Sequence, residues 1–124
     1  MPNPTSPDQL LPLTPLSIAI LLALADEPRH GYGIIKALET DTDGAIVPAA
    51  GTLYAALQRM ADDELIEETG ALDAGSGDKR RRYYALTSFG REVARAELRR
   101  LGRLLSLGSA RRLAPGLRLA GGTR

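Results

Sequence analysis

The chain has no cysteine, no tryptophan, one histidine (His30) and one phenylalanine (Phe89). Without cysteine there can be no zinc finger, iron–sulfur centre, disulfide framework or thiol nucleophile built on it. A Ser-His-Asp triad would have to be assembled around the one imidazole, and no nucleophile elbow is present. Lysine is scarce as well: apart from Lys36 and Lys79, the sixteen basic residues are all arginine. The longest apolar stretch, Ser17 to Ala25, is about half of the roughly 20 residues a membrane-spanning helix needs. The first fourteen residues carry no Lys or Arg, so they do not form the charged start of a signal peptide. The expectation is a cytoplasmic protein with no catalytic residues, no metal, no cofactor and no membrane contact.

With 124 residues, 44% apolar and 25% charged, the chain has the size and balance of one globular domain. Its net charge of +1 hides a division. Met1 to Gly70 carries eleven acids against three bases, −8, whereas Ala71 to Arg124 carries four acids against thirteen bases, +9. Such separation suits a surface for a polyanion, or two surfaces that meet between subunits.

Residues 1–13 hold Pro2, Pro4, Pro7 and Pro12 and read as a flexible arm. Thr14 and Pro15 form a helix start, a hydroxyl cap followed by a residue that needs no N–H there. Leu16, Ile18, Ile20, Leu21, Leu22 and Leu24 then give a helix apolar on nearly every side, ending before Pro28. A second helix starts near Gly31, with Ile34, Ile35 and Leu38 inward and Tyr32, Lys36 and Glu39 outward. Ile46-Val47-Pro48 allows no more than a bridging strand. Leu53, Leu57 and Met60 mark the buried face of a third helix from Ala49 to about Asp63. Leu65 to Leu72 and Arg80 to Leu86 read as two strands joined by the Gly-rich Asp73 to Asp78. Thr87 caps a long helix running to Leu107, with a seam of Ala94, Leu98, Leu101 and Leu105. The tail 108–124 reads as flexible.

This order predicts a mainly α fold with a small β-hairpin: a winged helix-turn-helix over 14–87, then a C-terminal dimerisation helix over 88–107. In that fold the third helix enters the DNA major groove and the hairpin reaches the backbone or a neighbouring groove. The outer face of the third helix carries Gly51, Ala55, Gln58, Arg59 and Asp62, with Tyr54 on its flank. Gly51 and Ala55 allow close approach, Gln58 and Arg59 reach base edges or phosphates, and Thr52 and Tyr54 offer hydroxyls to phosphate. Lys79, Arg80, Arg81 and Arg82 beside a Gly-rich tip make a basic wing. Strand alternation sends Tyr83 and Tyr84 to opposite faces, one inward and one exposed. A solvated helix face and a solvated charge run are the bland alternatives. The position of the run, on a hairpin after three helices, favours DNA.

Five segments sharpen this: His30-Gly31-Tyr32-Gly33-Ile34, Gly51-Thr52-Leu53-Tyr54-Ala55-Ala56-Leu57, Leu65-Ile66, Arg82-Tyr83-Tyr84-Ala85-Leu86-Thr87, and Gly90-Arg91. Together they resemble the PadR family of bacterial transcriptional regulators, in its compact form with a short C-terminal region. The resemblance implies a homodimer joined through its C-terminal helix, bound to a pseudo-palindromic double-stranded operator as a repressor, and often released by a small molecule. Some relatives sense phenolic acids and others bind flat drugs; with no Trp, a sandwich built on that residue cannot form here. Two positions depart from the family pattern. Ala55 stands where Pro is usual, which leaves the helix intact. Glu64 stands where a Gly usually ends the third helix, so that turn is either strained by roughly 1 kcal/mol or differently shaped.

Several residues keep two readings. His30 is expected to position the start of the second helix or touch a phosphate. Tyr32 and Lys36 face phosphate, or serve as packing and solvated side chains. Arg91, Arg95, Arg99, Arg100 and Arg103 extend a basic surface or pair across the dimer with Asp62, Asp63, Glu67 and Glu68. The rival reading of the whole chain is a winged-helix module that binds protein without specific DNA recognition.

Overall fold

A computed structural model of the chain describes residues 6–70 and 82–114. Among the described residues, four α-helices carry the fold: α1 Pro15–Ala23, α2 Gly31–Asp41, α3 Ala50–Asp62 and α4 Ser88–Ala110. Three short strands, β1 Arg29–His30, β2 Ile66–Gly70 and β3 Tyr83–Leu86, form an antiparallel sheet in the order β1-β3-β2.

Local chemistry explains where the helices start. Thr14 caps α1 by accepting from the Ser17 N–H (3.0 Å), and Pro15 occupies the first turn. The His30 imidazole caps α2, its Nδ1 accepting from the Gly33 N–H (3.1 Å). Thr87 caps α4 by accepting from the Gly90 N–H (2.8 Å). The Thr87 hydroxyl also donates toward the carbonyls of Glu64 (2.7 Å) and Leu65 (3.0 Å). That ties the start of α4 to the end of α3. Gly90 makes the junction possible, because a side chain there would run into the Leu65 carbonyl.

Three helices end alike, and none of them with glycine at the left-handed position. In each, one amide reaches back five residues and its predecessor three, the Schellman pattern. At α3 the Leu65 N–H donates to Met60 O (2.9 Å) and the Glu64 N–H to Ala61 O (2.9 Å). The left-handed position falls on Asp43, Glu64 and Arg112, with φ of 55°, 65° and 64°. The turn at Glu64 therefore keeps its left-handed shape despite the side chain, at a cost of about 1 kcal/mol.

The core joins Ile20, Leu21 and Leu24 of the first helical segment to Ile34 and Leu38 of α2. Leu53, Ala56, Leu57 and Met60 of α3, Leu65, Ile66, Tyr84, and Val93 and Ala94 of α4 complete it. Leu53, Leu57 and Met60 are the expected inner face of α3, and each contributes about 2 kcal/mol through burial.

Three expectations from the sequence change. Residues 6–13, expected to be a loose arm, hold a 3-10 turn at Pro7–Leu10 and lay Leu10, Leu11 and Leu13 against the core. Glu97 on α4 fixes that strap, accepting from the Leu13 N–H at 3.0 Å. Ile46-Val47-Pro48 forms no strand; instead β1 pairs with β3, Arg29 opposite Tyr84 and His30 opposite Tyr83. Helix α4 continues past Leu107 to Ala110. Helix α1 buries Ser17, Ile20, Leu21 and Ala23 and leaves Leu22 45% exposed.

Candidate nucleic-acid interface

The outer face of α3 is built from its inner one. Once Leu53, Ala56, Leu57 and Met60 are committed to the core, helical periodicity turns Gly51, Thr52, Tyr54, Ala55, Gln58, Arg59 and Asp62 outward, and all are exposed. A side chain at Gly51 would meet open space, so the first turn is bare for lack of atoms. Ala49 stands at the N-cap and has no side chain with which to cap the helix. The first amides of α3 are thus left for solvent or an anion, unlike those at the capped starts of α1, α2 and α4. Gln58 donates from Nε2 to Asp62 Oδ1 (3.1 Å), one turn further on.

Helix α2 contributes the neighbouring patch. Tyr32 is 66% exposed. Its ring stacks at 6.5 Å from the His30 imidazole, and the Lys36 Nζ stands 5.8 Å from its centroid. Edge-on to His30, at 5.3 Å, is Tyr83 of β3. The row Lys36, Tyr32, His30, Tyr83 therefore joins α2 to the sheet. Tyr54 locks α3 to α2: its phenol fills the space a side chain on Gly31 would need. From sequence, Tyr54 is expected only at a phosphate and Gly31 only at the helix start.

The two tyrosines of β3 divide as alternation requires, Tyr84 buried and Tyr83 half-buried. Burial, helped by the Glu68 carboxylate, pushes the Tyr84 phenol above its ordinary value. Arg82, at the base of the wing, is exposed and pairs with Glu68 across the sheet at 3.3 Å. Lys79, Arg80 and Arg81 lie outside the described residues.

On α4 the seam splits. Ala94 lies in the protomer's own core, whereas Leu101 is half-buried and Leu98 and Leu105 are 45% and 40% exposed. Leu104 and Leu107 extend the exposed apolar face. The arginines do not act as one group. Arg100 donates from Nε (2.7 Å) and Nη2 (3.0 Å) to the buried Glu97, within its own helix rather than across a dimer. That guanidinium holds the Glu97 carboxyl below the usual carboxylate range, assisted by the Leu13 amide. Arg91 donates to the Ala25 carbonyl (3.2 Å). Arg29, for which the sequence suggests no role, donates to Ala23 O (2.7 Å) and tethers the end of α1.

Three helices followed by a small antiparallel wing, with the third helix turned outward, define a winged-helix protein. The chain belongs to the PadR-like family of transcriptional regulators, which matches residues 20–96. A 37.1 kDa protein of transposon TN4556 from Streptomyces fradiae is 38% identical over 88 residues, 68% of this chain and 22% of that protein. The chain thus spans about a fifth of the length of that relative. A PadR family transcription regulator from Clostridium difficile R20291 has the same fold, with a TM-score of 0.66 and 26% identity over 77% of this chain and 95% of that one. Bacillus subtilis PadR, solved in complex with operator DNA, shares the fold with a TM-score of 0.58 and 20% identity, over 67% of this chain and 46% of that one.

Proposed function

We propose that this regulator is a repressor that binds a pseudo-palindromic operator as a homodimer, with α3 in the major groove and Lys79, Arg80 and Arg81 on the backbone. The observation that carries the reading is the outer face of α3: a bare, uncapped first turn followed by Gln58 and Arg59. A helix that only had to close a core would gain by being capped. Tyr32, Lys36, Thr52 and Tyr54 flank it and offer hydroxyls and an ammonium to phosphates. Bacillus subtilis PadR, which shares the fold, was solved in complex with operator DNA, and that supports DNA as the partner.

Dimerisation is supported by the apolar overhang of α4, where Leu98, Leu101 and Leu105 are incompletely covered by their own protomer. A twofold pair would present two α3 helices about one duplex turn apart. Release by a small molecule at the subunit seam follows from the family reading, and no Trp is available to build a flat-drug sandwich.

A salt series of fluorescence anisotropy titrations tests the proposal. Arg80→Ala with Arg81→Ala should weaken binding to every duplex and lower the slope of log K against log salt by about 1 for each phosphate no longer neutralised. An unchanged slope would remove the wing from the interface. Absence of DNA binding by the unaltered chain at low salt would favour a protein-binding module instead.

A further inference from the structure

Resting on the DNA-binding reading above, we propose that Gln58 recognises adenine and that Asp62 is the positioning residue that makes it do so. Along the outer stripe of α3, Gly51 and Ala55 have no polar side-chain atoms. Gln58 is the first side chain on that stripe able to hydrogen-bond a base edge. A free glutamine amide can be turned either way, presenting its donor and acceptor in either order. Here it is not free. Its Nε2 donates to Asp62 Oδ1 at 3.1 Å, and the flipped amide would place two acceptor oxygens against each other. The carboxylate therefore decides which end is nitrogen.

One Nε2 hydrogen and the Oε1 lone pairs are left for a partner, a donor beside an acceptor. The major-groove edge of adenine, acceptor N7 beside donor N6, is the complement of that pair. Guanine offers two acceptors, thymine a lone acceptor and a methyl group, and cytosine a lone donor. Asp62 itself stands one turn further from the N-terminus of α3. It can hold the amide from behind without reaching the base.

The test is in vitro selection from a randomised duplex library with the full chain and its variants, followed by competition at each selected position. The unaltered chain should select an A·T pair at one position of each half-site, favoured over G·C by about tenfold or more. Gln58→Ala should erase the preference at that position alone. Gln58→Arg should convert it to G·C, since arginine pairs with two acceptors. Asp62→Asn, which tolerates both amide orientations, should flatten the preference at that position and, by removing a negative charge beside the duplex, raise affinity for random DNA. Both positions are exposed, so these changes preserve folding. The proposal fails if Gln58→Ala selects the same motif as the unaltered chain, or if the Gln58-dependent position is G·C. If the unaltered chain selects no motif at all, the operator reading fails first.

Discussion

Glu97 is almost completely buried in the middle of α4, and three donors converge on its carboxylate. Deleting it leaves the Leu13 amide and a guanidinium without their acceptor, so Glu97→Ala should cost about 2–3 kcal/mol in urea unfolding. The pH dependence follows from the sign of its shift. A carboxyl held low in the folded state stabilises above its unfolded value, and that stabilisation is lost as pH falls through the folded value. The stability difference between the unaltered chain and Glu97→Gln should therefore be full at neutral pH and shrink in strong acid. Glu64 makes the opposite prediction. Its left-handed φ of 65° is strained, so Glu64→Gly should raise Tm by about 2–5 °C in a thermal melt. The family resemblance left two outcomes open at Glu64, a strained turn or a differently shaped one, and the left-handed φ selects the first. The role of Glu97 was not readable from sequence, because its partner Leu13 lies 84 residues away and no spacing rule links them.

Among the elements, α3 was the most legible. Its apolar repeat has one solution on a helix, and committing Leu53, Leu57 and Met60 inward dictates everything that faces out. The strand β1 was missed because two residues, Arg29 and His30, give no periodicity; only the partner Tyr83-Tyr84 stretch selects them. The strap at 6–13 was missed for a related reason. Its prolines argue against regular structure, but Leu10, Leu11 and Leu13 still find apolar cover on the core. The Gly31–Tyr54 lock makes a test at this scale. Gly31→Ala would push the Tyr54 ring off α2 and break the contact that ties α3 to it. Operator affinity should fall at least about tenfold while far-UV circular dichroism keeps its helical signal. On α4, Leu105→Glu should weaken self-association in sedimentation and leave the protomer's helical content unchanged, since Leu105 lies outside its core.

Across the whole molecule, the division of charge acquires a physical sense. Part of the acid in the first half is engaged where it was not expected to be, Asp62 with Gln58 and Glu68 with Arg82. Asp62 and Glu68 nevertheless stay exposed, at the end of α3 and on β2. The basic excess belongs to the segment that includes the wing and α4, and the arginines on α4 act partly as internal ties. No described helix is long and apolar enough to cross a membrane. The central claim is that α3 distinguishes one duplex from another. The measurement is the ratio of affinities for a selected duplex and a scrambled one of equal length, taken at one physiological salt concentration. A ratio of about 10³ or more is predicted for a regulator that reads sequence. A ratio near one, with both duplexes bound equally, would leave only phosphate attraction and contradict that claim.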